Sequence, residues 1–479
     1  MHRARKTLGL CIMAVVIGIL YAGYKVYTAS RSLEQYCRTF GYRTPTTGLP
    51  DCVLDSPAWK GYVVDSSITY ADGAHNIMPF DIDGDGTIEL VANAFRSDSL
   101  AVYKHTWGLE SPSRWTRLLI DSDVGGGLPR HPASTYVKSL LRRALAGSYT
   151  EGAHYTAIAD LNGDGRNDMV VAGDLTRYDV VWYEAAGTAK SNTQSWKKHI
   201  AYQNDSHRTY FAQTGDIDGD GDVDIVFTTK SDRSLGWLEN RGTPGAWPAV
   251  VVDSNSTRCF YARVLDANGD GRAEIIASED DAPAGGRLWL YTHSGHPRDG
   301  ADWSRYCIAH LPPGHGISVL AVTDLDADGD KDIAAASHEG DVYVLRNPWP
   351  ADVYQPWEVR AVKGCTHQRH NFREIDVGDI DLDGDQDIVV ADESLNAVIW
   401  FENPGTTFLE GWKEHVVDQS DVYLRWCHCA RLGDVDKDGD LDIAVAAAAS
   451  NVFLVYLNQA VPNDSARVAG VSSGVGENK

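Results

Sequence analysis

The sequence predicts an all-β fold, a seven-bladed β-propeller preceded by one N-terminal transmembrane helix. Three observations point there: a phrase repeated seven times, a strand pattern that repeats with it, and two chain ends that match. The phrase is nine residues long, an Asp/Asn ladder broken by one glycine and closed by an acid. Its copies begin at Asp81, Asp160, Asp216, Asp266, Asp324, Asp379 and Asp434, at intervals of 79, 56, 50, 58, 55 and 55 residues. Self-similarity at a fixed period in this range belongs to solenoids and propellers.

Each period carries four short β-rich segments. A short apolar run such as LVANA, IVFTT or IVVAD follows every ladder, then a polar turn and a second strand such as VVWYE or VIWFEN. A third strand opens on Trp and alternates (WKKHIAY, WSRYCIA, WEVRAV, WKEHVVD), and a fourth runs into the next ladder. Four strands per unit without helical periodicity describe a propeller blade. The last unit stops at VFLVYLN without its Trp strand, while WKGYVVDSS, starting at Trp59, matches WKEHVVDQS, starting at Trp412. The N-terminal strand is therefore expected to complete the last blade, and a closed ring leaves no sheet edge exposed, unlike a linear β-solenoid.

The ladder has the chemistry of a cation cage. Oxygens at positions 1, 3 and 5 converge when the backbone curls, the glycine at position 6 permits the turn, and Ca²⁺ accepts flexible carboxylate-rich coordination better than Mg²⁺. The expected ligands include the closing acid at position 9. They are Asp81, Asp83, Asp85 and Glu89; Asp160, Asn162, Asp164 and Asp168; Asp216, Asp218, Asp220 and Asp224; and Asp266, Asn268, Asp270 and Glu274. The last three loops supply Asp324, Asp326, Asp328 and Asp332; Asp379, Asp381, Asp383 and Asp387; and Asp434, Asp436, Asp438 and Asp442. An EF-hand would place a Glu at position 12, where this chain has only apolar residues. The expected cofactor is Ca²⁺, held in β-hairpins.

These ladders and their spacing resemble the FG-GAP/VCBS repeat family, whose members include the integrin α-subunit head. The resemblance covers about residues 59 to 458 and implies the propeller. The literal Phe-Gly and Gly-Ala-Pro words that name the family are missing here.

The formal charge of −24 says little about partners. The seven ladders hold 30 of the 67 acids and 4 of the 43 bases, leaving 37 acids against 39 bases elsewhere. No basic stripe marks a nucleic-acid partner. At the N-terminus a basic cluster (Arg3, Arg5, Lys6) precedes an apolar stretch over residues 8–24. That fits a signal anchor, or a secretory signal cleaved after Ser30; either puts the propeller outside the cytosol. The expected organisation is a cytoplasmic end and anchor at 1–30, a linker at 31–58, the propeller at 59–458 and a disordered tail at 459–479. Cys37 and Cys52 could bridge each other; Cys259, Cys307, Cys365, Cys427 and Cys429 leave an odd thiol.

The ladders occupy one face of the ring, and the opposite face has a marked composition. Six residues before the ladders stand His75, His154, Tyr210, Phe260, Ser318, Arg373 and His428, with Arg263, Arg431, His315, His370, His338, Glu339, Asp392 and Glu393 nearby. These groups are expected to ring an axial funnel, with His75, His154, Arg373 and His428 as the ligand-binding residues. Such a set suits recognition of a carbohydrate or protein outside the cytosol. It also suits the alternative, a sugar lyase or dehydratase working in the funnel. An insertion over residues 125–148, whose centre spaces apolar residues like a short amphipathic helix, is expected beside the funnel mouth.

Overall fold

Every ladder is the turn between an inner strand and a second strand that begins on the closing acid. The inner strands are Ala74–Phe80, Gly152–Ala159, Thr209–Gly215, Cys259–Leu265, Val319–Thr323, Phe372–Gly378 and Cys427–Gly433. The second strands start at Glu89, Asp168, Asp224, Glu274, Asp332, Asp387 and Asp442. These assignments come from a computed structural model that describes residues 52–56, 58–66, 73–95, 97–105, 115–124, 152–174, 179–186, 195–203, 209–229, 234–242, 245–254, 259–364, 370–405 and 407–460. Seven antiparallel sheets result, six of four strands and one of five. The inner strands of successive blades touch in cyclic order, the last against the first, so the ring is closed.

The second strands are buried along their length, as in Asp224–Thr229 and Asp387–Asp392, because neighbouring blades cover both faces. That is why they read as continuous apolar runs and not as an alternation. Fully burying a Val, Leu or Ile side chain contributes about 1.5–3 kcal/mol, and Val226, Ile388 and Val445 are all 0% exposed. Polar staples join the blades as well. A third-strand tyrosine hydroxyl donates to an aspartate ending the previous blade's outer strand: Tyr183 to Asp121 (2.7 Å), Tyr291 to Asp253 (2.9 Å) and Tyr456 to Asp418 (2.8 Å). Across the closure Tyr103 does the same to Asp65, at 2.9 Å.

The last blade draws strands from both ends of the chain. Cys427–Gly433, Asp442–Ala447 and Val452–Asn458 are followed in space by Trp59–Asp65, which pairs antiparallel with the C-terminal strand from Trp59↔Asn458 to Asp65↔Phe453. Part of the segment read as a linker is also strand. Cys52–Asp55 folds back on Trp59–Asp65 as a fifth strand and covers what would be an open edge. Ser56 makes that turn: its amide donates to the Trp59 carbonyl, and its hydroxyl accepts from the Trp59 amide.

Among the described residues the one helical element is the 3₁₀ turn Gly300–Asp302, and no helix is long and apolar enough to cross a membrane. The apolar N-terminal segment, the insertion over 125–148 and the C-terminal tail from 461 lie outside the described residues.

Candidate functional site

The seven acidic turns share one geometry. In each, the position-6 glycine amide donates to a carboxylate oxygen of the position-1 aspartate, as in Gly86 to Asp81 (2.8 Å), Gly221 to Asp216 (3.0 Å) and Gly384 to Asp379 (3.1 Å). The closing acid also accepts the position-2 amide in every copy, from Ile82 to Glu89 (3.2 Å) through Val435 to Asp442 (2.8 Å). The next blade steadies the loop: Asn240, Asn347 and Asn458 donate to the position-2 carbonyls of Leu161, Ala267 and Ile380. The sequence signal for these asparagines is slight: N-R, N-P and N-Q recur in register after the strand-three aromatic.

Position 4 is left-handed in all seven turns. Gly84, Gly163, Gly219 and Gly269 carry it at φ between 68° and 72°, whereas Ala327 (59°), Leu382 (64°) and Lys437 (62°) do so with a Cβ. A left-handed L-residue costs about 1–2 kcal/mol. Leu382 is 45% exposed and has little packing to lose. Leu382→Gly is therefore expected to raise the melting temperature by a few degrees, and Gly221→Val to lower it; equal melting of all three proteins would contradict the strain.

The carboxylates fit a hard divalent cation. In five turns, one oxygen from each of three acids lies within 4.8 Å of the others: Asp81, Asp83 and Asp85, then positions 1, 3 and 9 of the third, fifth, sixth and seventh loops. Buried oxygens such as Asp379 Oδ1, Asp434 Oδ1 and Asp438 Oδ2 have no hydrogen-bond partner among the described residues. Burial, with neighbouring carboxylates adding to it, pushes Asp224, Glu274, Asp332 and Asp387 up to about 7, and Asp442 to about 9. Such groups ionise at neutral pH when a cation joins them. Among the described residues four loops hold side-chain cations too: Lys104 pairs with Asp83, Arg166 with Asp164 (2.5 Å), Arg298 with Asp218 (2.6 Å) and Arg346 with Asp326 (2.5 Å).

At the opposite ends of the inner strands, bulges set the second site. The ladder register skips one residue at His75, His154, Tyr210, Arg373 and His428, and shifts across Phe260 and Tyr261. A bulge takes its residue out of the strand register and re-aims the side chain. These side chains form a circuit about the axis. Ring centroids are 4.2 Å apart for His428–His75, 4.0 Å for His75–His154, 4.4 Å for His154–Tyr210 and 5.2 Å for Tyr210–Phe260.

The fifth strand has no bulge, and there His338 from the second turn takes the place, 5.9 Å from Phe260. Arg373 donates to His338 Nε2 (3.3 Å) and to Glu393, whose carboxylate lies 3.9 Å from His428 Nε2. His338 Nδ1 faces Asp280 at 3.1 Å, so its proton belongs on Nδ1. Burial, reinforced by Asp280, pushes Glu339 up to about 7.

Two other histidines of this face are held by carboxylates: His370 is buried against Asp392 (2.6 Å), and His315 bonds Asp341 (3.1 Å). Arg263 and Arg431 sit three residues before their ladders, deeper along the axis, because strand residues advance about 3.3 Å each. Between the layers lie Tyr155, Phe211 and Tyr261, packed at 4.2 and 4.7 Å. Cys259, Cys307, Cys427 and Cys429 are thiols. Burial pushes Cys429 up to about 12, so it acts as packing.

Blade count, ring closure and seven acidic hairpin turns define a repeat propeller. The profile described as FG-GAP-like repeat matches residues 160–227, 216–277, 266–335 and 379–445. The chain belongs to this FG-GAP-like repeat family. No curated protein sequence matches it. A crystal structure of BBS1N in complex with ARL6DN, soaked with mercury, is similar at a TM-score of 0.44 and 12% identity, covering 82% of this chain and 96% of that one.

Proposed function

We propose that the chain is a calcium-loaded propeller, displayed outside the cytosol by its apolar N-terminal segment, which recognises a carbohydrate or protein ligand at the His/Arg mouth. The observation that carries this reading is the bulge circuit. Six of seven inner strands give up a ladder position to aim His75, His154, Tyr210, Phe260, Arg373 and His428 at the axis. A packing role alone does not require the same irregularity in blade after blade. The acidic face supports the mouth from a distance: cations in the turns would hold the hairpins from which the inner strands run.

A sugar lyase or dehydratase is the second reading. Glu339 favours it, since a carboxyl that titrates near 7 beside Asp280 can give or take a proton at neutral pH.

Replacing His154 and His428 together with alanine tests the site. The ligand is first selected by a screen of immobilised glycans and secreted proteins against the calcium-loaded protein. Loss of that binding is expected, with calcium content and melting temperature nearly unchanged. A double variant that binds as the parent does would make these histidines packing groups.

A further inference from the structure

At the other end of the axis, a cavity of about 630 Å³ lies among the acidic turns of blades four and five and the inner strands of blades three to seven. Its polar walls include Gln213, Arg263, Asp376 and Arg431, with Lys331 and Trp349 at its rim. The two arginines differ. Arg431 is held by its terminal nitrogens: it pairs with Glu374 at 2.9 Å, lies 3.7 Å from Asp376, and donates to the Tyr155 hydroxyl at 2.6 Å and the Ile375 carbonyl at 3.3 Å.

Arg263 is 9% exposed, yet among the described residues it donates only to the Ala262 carbonyl, at 3.1 Å, and has no carboxylate within 4.0 Å. Its guanidinium rests 4.9 Å from the Phe211 ring centre and 5.9 Å from that of Tyr261. The buried Glu374 carboxylate offsets part of its charge from beyond ion-pair distance, and donors without an internal acceptor leave the guanidinium able to take an anion from the cavity. The cavity wall is where that anion has room.

The rim supplies the second half of a ligand. Trp349 is 45% exposed, and its indole covers Gly269, where a Cβ would lie 3.2 Å from the ring. The Trp349 amide donates to Asn347 Oδ1 at 3.1 Å, which anchors the platform. Exposed Lys331 adds a cation beside it. An open aromatic face and a guanidinium line the same cavity, together with the Gln213 amide and the carboxylates of Asp266, Asp330 and Asp376; a sugar ring that carries a carboxylate can meet the first two.

We infer that this cavity binds an acidic saccharide, its carboxylate on Arg263 and its ring on Trp349. The site is separate from the His/Arg mouth, since Tyr155, Phe211 and Tyr261 fill the axis between them. The bidentate fork of arginine distinguishes a carboxylate from a hydroxymethyl group, so a uronate should be preferred over the neutral sugar.

Calorimetry on the calcium-loaded full chain tests this, with glucuronate and glucose as probes. Glucuronate is expected to bind saturably and at least tenfold more tightly than glucose. Arg263→Gln should weaken glucuronate at least tenfold and erase the preference. Trp349→Ala should weaken both sugars, and because the side chain is at the surface it keeps the test open should the arginine variant not fold. Glucose binding as tight as glucuronate, no glucuronate binding by the parent, or binding indifferent to both substitutions would each overturn the inference.

Discussion

Removing calcium with EGTA is expected to lower the melting temperature sharply. Each empty turn gathers several carboxylates whose mutual repulsion a bound ion relieves. A site held at 100 times its dissociation constant adds about 2.7 kcal/mol to folding, against a total stability of about 5–15 kcal/mol for a typical protein. The effect should grow with pH. In the metal-free protein, Asp224, Glu274, Asp332 and Asp387 are raised to about 7 from ordinary values near 4. Their contribution is therefore present below about pH 4 and lost as pH rises through about 7. The gap between calcium-loaded and chelated melting should be small at pH 5 and wide at pH 8. Asp216→Ala or Asp434→Ala should remove part of it by weakening one turn. Melting that ignores EGTA at pH 8 would defeat the metal assignment.

Deleting residues 53–68 should cost far more than deleting residues 465–479. The first cut removes the strand Trp59–Asp65, its six residue pairs with Phe453–Asn458, and the buried Trp59. It also removes Asp65, the acceptor for Tyr103 and the ion-pair partner of Arg117 at 2.7 Å. The exposed edge of the last blade would then template association between chains. Aggregation and loss of the cooperative melting transition are expected for the first variant, and parental behaviour for the second. A chain lacking 53–68 that stays monomeric and melts like the parent would show that the ring does not depend on this strand.

The fold was legible because its repeats write the same local chemistry seven times. Ladder, glycine and closing acid mark each hairpin, and the match between Trp59 and Trp412 marks the closing strand. What the sequence hid is set by register. A bulge has no residue signature, so aligning the columns six before each ladder showed which residues are equivalent but not why His75 and His154 turn inward. His338 entered the circuit from a different turn, since Ser318 has no side chain long enough to reach it. Nearness in sequence is not equal depth: Arg263 and Arg431 line the cavity beside the acidic turns and not the opposite mouth. Counting back three residues from each ladder brings them together with Gln213 and Asp376 in one layer. Cys52–Asp55 escaped notice because a short edge strand gains its stability from the neighbour it covers.

Metal analysis of the purified protein tests the account most directly. Calcium near seven ions per chain, released by EGTA together with the loss of thermal stability, is the expected result. A folded chain that holds less than one calcium, or that carries stoichiometric zinc in its place, would contradict it.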